Sequence, residues 1–184
     1  MTDQHRLSIY LNDHLAGAIA GGELARRAAS SNKGSELGSF LAELAQKIDQ
    51  DRESLERLMK VLEIRRNLAK DAAVWLSEKV GRLKLNGQVI GYSPLSKLIE
   101  LEGLSLGVNG KLSLWKTLKM LSREDERIDA AEIDGLIEGA LSQAITLEEE
   151  RTKIIGQVFS TGGAQGRSGR APGAGEFPTA LDDV

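Results

Sequence analysis

The sequence predicts an all-α protein, an antiparallel four-helix bundle whose second and third long helices are joined by a long crossover. Large apolar residues recur in steps of four and three over four long stretches, which is the spacing of bundle helices. Aromatic residues make up only 4% of the 184 residues, so the core must be aliphatic. The first and third connections are short, which favours two antiparallel helix pairs.

The first helix is expected from about Asp3 to about Ala29, before a polar stretch that contains Gly34. After His14 its core positions are alanine and glycine, which lets a neighbouring helix approach closely. A second side of this helix is also apolar, which predicts either deep burial or a contact between subunits of a homo-oligomer. This second apolar side consists of Ile9, Ala16 and Ile19.

The second helix is expected to begin near Ser35, a suitable cap, and its apolar steps run from Leu37 to Leu62. Asp51 is the single exception in those steps. A carboxylate in an apolar stripe must find a partner or shift its pKa. Charged residues and Asn67 then predict a break or bend at 65–68, followed by a shorter helix over 68–80.

The crossover continues through residues 81–93, where Asn86-Gly87 suits a tight turn and predicts a small hairpin or a long crossing loop. Ser93 and Pro94 predict the start of the third helix. Its glycines predict a kink or break around Asn109-Gly110. The fourth helix is expected from about Arg123 to Phe159.

Residues 1–160 are therefore expected to form one helical domain, and residues 161–184 a flexible glycine-rich tail. Apolar residues return at the end of that tail, mixed with acidic ones. They suggest either a disordered end or a short segment that docks in a groove of a protein partner. The apolar residues of this segment are Phe177, Pro178, Leu181 and Val184.

The helix count and the connection lengths over residues 3–159 resemble the ferritin-like superfamily, whose folds have one long crossover. In its iron-binding members, the resemblance implies a Glu on two helices and a Glu-x-x-His on the other two. Here Glu56 is followed three residues later by Met59, and Glu148 by Arg151. The standard di-iron motif is therefore missing.

The polar exceptions to the apolar steps predict a buried polar layer. In a hairpin centred near residue 32 or 33, His14 and Asp51 lie at the same level and should face each other. This pair is either a structural hydrogen bond or part of a metal or acid/base site. Arg151 is the corresponding exception in the fourth helix, and it either completes this layer or extends outward to solvent. Glu23 and Glu102 are further carboxylates for a metal site, although Glu23 points to the opposite side of its helix from His14.

Composition excludes several functions. A net charge of −3 does not favour nucleic acid, and the lack of cysteine removes thiol chemistry and agrees with a reducing cytoplasm. The N-terminus has no apolar signal core, and no apolar run has membrane-spanning length, so we expect a cytoplasmic protein without a membrane partner. Neither a hydrolase triad nor a phosphate-binding loop can be assembled from the motifs.

The predicted function is accordingly a non-catalytic, ferritin-like bundle that acts through binding or assembly as a homo-oligomer, without a cofactor. Two alternatives stay open. The chain is a degenerate metal-binding or iron-handling member that uses His14 and Asp51, or it is an adaptor or cargo protein that docks through its C-terminal tail.

Overall fold

The structure is a computed structural model, and it describes residues 3–67 and 93–159. Within these ranges it is all-helical, with four helices and no strand. α1 packs against α2 and α3, and α4 packs against α3 and, less extensively, α2, which is consistent with a bundle. The predicted 68–80 helix, the predicted hairpin and the C-terminal tail lie outside the described residues. The helices are α1 (Gln4–Ser31), α2 (Glu36–Val61), α3 (Pro94–Leu121) and α4 (Ala130–Phe159).

Side-chain caps fix the starts of the first three helices. The Asp3 carboxylate accepts hydrogen bonds from the first backbone N–H groups of α1. Ser35 Oγ accepts from the N–H of Gly38, and Ser93 Oγ from that of Ser96, each at 3.1 Å. These oxygens satisfy N–H groups that have no partner inside the helix. The caps predicted at Ser35 and Ser93 are confirmed, and Pro94 is the first residue of α3.

The turn between α1 and α2 depends on two glycines. Gly34 has a φ of +84°, which favours glycine over residues with a Cβ. Gly38 lies so close to the turn that a Cβ added there would be 2.2 Å from the carbonyl oxygen of Asn32. The buried Asn32 also stabilises this connection, because its side-chain amide donates a hydrogen bond to the carbonyl of Ala28 at 2.8 Å. The short connection thus brings α1 and α2 directly against each other.

α2 ends earlier than the predicted break at 65–68. Glu63 adopts a positive φ of 59°, and the N–H of Ile64 donates to the carbonyl of Met59 at 2.8 Å. This is a Schellman ending, in which a left-handed residue closes the last turn. Ile64 then packs into the core, and the helix ends at Val61, a few residues before the predicted break at 65–68.

The helix break that the sequence allows around Asn109-Gly110 is not observed, since α3 runs without interruption from Pro94 to Leu121. Asn109 Nδ2 donates to the carbonyl of Ser105 at 2.9 Å, inside the helical turn, rather than ending the helix. Val108 and Leu112 are buried on either side of Gly110. Their packing outweighs the cost of glycine in a helix, about 1 kcal/mol per residue.

α4 begins at Ala130, seven residues after the predicted start at Arg123. Asp129 Oδ1 accepts hydrogen bonds from the N–H groups of Ala131 at 2.8 Å and Glu132 at 3.3 Å. A capping aspartate is more favourable at this position than inside a helix. The residues before it form turns that lead out of α3.

The core consists of two separate apolar clusters, one toward each end of the bundle. The Leu11 cluster contains the first half of α1 and the second half of α2, and the Leu41 cluster the opposite halves. The boundary is a single polar residue on each of three helices. These residues are Asp51 on α2, Lys111 on α3 and Gln143 on α4.

Candidate ligand-binding site

Asp51, Lys111 and Gln143 form a closed hydrogen-bonded cluster at the boundary between the two apolar clusters. Lys111 Nζ donates to Asp51 Oδ2 and to Gln143 Oε1. Gln143 Nε2 donates to the same Asp51 oxygen at 3.1 Å. Each of the three side chains therefore contacts the other two. A buried carboxylate and a buried ammonium group need such partners to offset their lost hydration.

Burial governs the electrostatics of this cluster. The Asp51 and Lys111 side chains are only 12% and 13% exposed. Desolvation lowers the pKa of Lys111 below its ordinary value, while the charge of Asp51 and the hydrogen bond to it act in the opposite direction. The cluster holds one positive and one negative group in direct contact, so it adds no net charge to the core.

A cavity of about 190 Å³ lies beside this cluster, between α1, α2 and α3. Its apolar walls include Ile48, Leu55 and Leu104. The side chains with polar atoms in its lining are those of Asp13, His14, Asp51, Arg52, Lys111 and Trp115. Engineered cavities of about 150 Å³ with apolar walls accommodate benzene. The space is therefore sufficient for a small organic molecule.

Glycines keep this cavity open. Five glycines line it, and at four of them an added Cβ would meet no atom within 4 Å. Two of the four, Gly17 on α1 and Gly107 on α3, are exposed, so the cavity reaches solvent between these helices. α1 and α3 meet on both sides of that opening, through Tyr10 and Thr117 at one end and Arg27 and Glu100 at the other. The four glycines are Gly17, Gly21, Gly107 and Gly110.

The predicted partnership of His14 and Asp51 is not observed. Both residues line the cavity, in keeping with the predicted common level, but no hydrogen bond joins them in the described structure. His14 instead stacks edge-to-face with Tyr10, their ring centroids 4.6 Å apart. Asp51 is bonded to Lys111 and Gln143, whose side chains reach it across the core.

The environment of His14 predicts a pH dependence of stability. Desolvation lowers the pKa of His14 below 6.5, with the charge of Asp13 acting against it. The unfolded chain therefore binds a proton at higher pH than the folded chain, so stability falls as the pH drops from 6.5 through the folded-state pKa. We expect the urea midpoint of wild type to fall more steeply in this range than that of His14→Gln. Parallel pH profiles for the two proteins would contradict the prediction.

Arg151 lies apart from the polar cluster. Its guanidinium bonds Glu148 twice at 2.7 Å and approaches Glu102 at 3.6 Å. It is two helical turns beyond Gln143, and it neutralises carboxylates at the bundle surface. Arg151 is therefore not part of the buried layer. The residue of α4 that lies in this layer is Gln143.

The residues considered for a metal site are not gathered together. Glu23 and Glu102 are exposed, and Glu102 faces Arg151. Asp51 forms an ion pair with Lys111. Within residues 3–67 and 93–159, no three His, Asp or Glu side chains form a group that could hold a metal ion. The predicted docking segment around Phe177 lies outside the described residues.

Sequence reasoning missed Lys111 and Gln143. One regular series of apolar residues passes through Leu112 in α3 and Ala144 in α4, but equally regular steps of three and four pass through Lys111 and Gln143. The available signal was that Lys111 and Gln143 each directly precede an apolar position on their helix. With Asp51 already identified as a carboxylate that needs a partner, a lysine at such a position was its natural counter-ion.

The protein is thus a helical bundle whose core is divided by a buried ion pair, with a small cavity beside that pair. Comparisons with protein families, with curated protein sequences and with solved structures found no match to this chain. None of the helices in the described part of the chain is long and apolar enough to cross a membrane.

Proposed function

We propose that this chain is a non-catalytic, ferritin-like bundle that binds a small molecule in the cavity between α1, α2 and α3. The observation that carries the proposal is the cavity itself, which lies in the middle of the bundle where packing would otherwise be continuous. The volume and the opening toward solvent support a site that a ligand can enter and leave.

The glycines around the cavity support binding rather than packing. Each glycine in a helix costs about 1 kcal/mol relative to alanine. Alanine would fit in open space at four of the five lining glycines, and it would also begin to fill the cavity. Stability alone thus favours alanine or a larger residue there. Glycine at these positions is explained if a bound ligand occupies the space that a larger side chain would fill.

A binding role agrees with the chemistry of the cluster better than catalysis or metal binding does. The Asp51 carboxylate and the Lys111 ammonium are hydrogen-bonded to each other, so neither is poised as a base or a nucleophile. A metal ion coordinated by Asp51 would have to displace Lys111. The metal-binding alternative therefore has less support than the binding proposal.

The directions of the helices support the ferritin-like assignment. Tyr10 near the start of α1 contacts Thr117 near the end of α3. Asn12, also near the start of α1, donates to the carbonyl of Arg65 just beyond the end of α2 at 3.2 Å. Lys119 at the end of α3 pairs with Asp134 at the start of α4. We infer that α1 and α4 run in one direction and α2 and α3 in the other, as expected for two antiparallel pairs joined by a long crossover.

Assembly as a homo-oligomer stays a prediction. Ile9 on the second apolar side of α1 is 52% exposed, whereas Ala16 and Ile19 are half-buried and Ile19 packs against the Leu11 cluster. That side of α1 therefore offers a smaller apolar surface than the sequence pattern suggested. A cytoplasmic location and docking through the tail also stay predictions.

Filling the cavity tests the binding proposal. Gly110 and Gly139 are both half-buried helical glycines with open space beside them, but only Gly110 lines the cavity. We expect toluene to shift the indole N–H signal of Trp115 in nuclear magnetic resonance spectra of wild type and of Gly139→Leu. In Gly110→Leu its affinity should fall by about tenfold or more, because the leucine occupies the site.

The signal is assigned by its loss in Trp115→Phe, since the chain has two tryptophans. Equal toluene affinities in Gly110→Leu and wild type would contradict the location of the site. If neither toluene nor a polar aromatic probe bound to the wild-type protein, the binding proposal itself would fail.

A further inference from the structure

Asp51 has one carboxylate oxygen without a hydrogen bond beside the cavity. Lys111 Nζ and Gln143 Nε2 both donate to Oδ2, and no described residue donates to Oδ1. Asp51 is only 9% exposed, yet it lines the cavity. Its Oδ1 is not sealed from solvent in the way that Nε of Arg52 and Nε1 of Trp115 are. Oδ1 is therefore an acceptor in the cavity wall that a bound molecule can reach.

His14 adds a second polar group to the same cavity, from α1. Its ring contacts Tyr10 edge-to-face, and neither ring nitrogen forms a hydrogen bond with a described residue. Burial lowers the pKa of His14 and so favours the neutral imidazole, which has one N–H donor and one acceptor nitrogen. A hydroxyl group suits both walls, because it can donate to Asp51 and accept from His14.

The charges already present in the lining favour an uncharged ligand. An anion would meet two carboxylates, those of Asp13 and Asp51. A cation at Asp51 Oδ1 would lie beside the Lys111 ammonium, which is bonded to the other oxygen of the same carboxylate. Like charges at such a short separation repel each other, and a further buried charge also loses its hydration.

We propose that the ligand is a small neutral molecule with an apolar body and one hydroxyl group, which donates a hydrogen bond to Asp51 Oδ1. This inference rests on the proposed binding function and names its ligand class. The apolar body lies against Ile48, Leu55 and Leu104. A hydrogen bond to a carboxylate is stronger than one between neutral groups, so it replaces the hydration that the hydroxyl loses. A cavity without a reachable acceptor would instead disfavour the hydroxyl.

Four aromatic probes of similar size test the inference, namely phenol, anisole, toluene and benzylamine. Phenol can donate a hydrogen bond, anisole can only accept one, toluene does neither, and benzylamine is a cation at pH 7. We expect phenol to bind wild type at least as tightly as toluene, and about tenfold more tightly than anisole and benzylamine, because only phenol is both neutral and a donor. The indole signal of Trp115 and the backbone amide signals of Gly107 and Gly110 follow each titration.

Asp51→Asn tests the acceptor itself. The carbonyl oxygen of the new side chain can keep the hydrogen bonds from Lys111 and Gln143, which places an NH₂ group where Oδ1 was. We expect the ratio of phenol affinity to toluene affinity to fall about tenfold in this variant. Glu53→Gln makes the same chemical change at an exposed position of α2 outside the cavity, and it should leave the ratio unchanged.

The four probes on wild type decide the inference even if Asp51→Asn does not fold. The hydroxyl class would be overturned if phenol bound more weakly than toluene, or no more tightly than anisole or benzylamine. An unchanged ratio in Asp51→Asn would overturn it as well. In each of these cases the binding of toluene would leave the binding function standing. If none of the four probes bound, both proposals would be overturned.

Discussion

Replacing Lys111 by methionine is expected to lower the free energy of unfolding by about 3–5 kcal/mol, since it leaves a buried carboxylate without its counter-ion. Asp51 would keep only the amide of Gln143 as a donor, and Gln143 Oε1 would lose its partner. Urea unfolding followed by circular dichroism measures the change. Lys116→Met is the matched control, because Lys116 is exposed on the same helix and its replacement should change stability by no more than about 0.5 kcal/mol.

The cost of losing one partner is not the contribution of the whole cluster to stability. Replacing a complete buried ion pair by apolar residues of similar size is often neutral or stabilising. We therefore expect Lys111→Met combined with Asp51→Leu and Gln143→Leu to recover most of the stability lost in the single variant. An unchanged unfolding free energy in Lys111→Met would contradict the burial of this ion pair, and a triple variant no better than the single one would show that the cluster itself stabilises the fold.

Local signals in the sequence were sufficient for much of the fold. Four helices, an aliphatic core and the caps at Ser35 and Ser93 follow from apolar spacing and from side chains that accept backbone hydrogen bonds. Helix ends were predicted less well because tertiary contacts decide them. Ile64 ends α2 by packing into the core, and Val108 and Leu112 keep α3 helical where Gly110 alone favours a break.

The candidate site was predicted in part, and the missing part has a physical explanation. Asp51 was recognised because it interrupts an otherwise apolar series, which is a property of one helix. Its partners come from α3 and α4, and a lysine or glutamine reaches the core from a flanking position through its long side chain. Which of two adjacent positions faces inward depends on helix rotation, and local periodicity does not determine it. The cavity is also invisible in sequence, because it results from three helices together.

Trp115 gives the second large effect on stability. Trp115→Ala should cost about 3–5 kcal/mol of unfolding free energy, because the ring is buried in the Leu11 cluster and its loss leaves a large void. Trp115→Phe should change stability much less. It loses part of the ring contacts, but it also removes a buried N–H without an acceptor, a group that costs about 1–3 kcal/mol.

Urea unfolding of both variants measures this difference. If the area of the ring alone decided the outcome, Trp115→Phe would lose stability in proportion to the ring atoms removed. Because the variant also removes a buried N–H that has no acceptor among the described residues, we expect its loss of unfolding free energy to be well below that of Trp115→Ala. A loss in Trp115→Phe as large as that in Trp115→Ala would contradict the prediction.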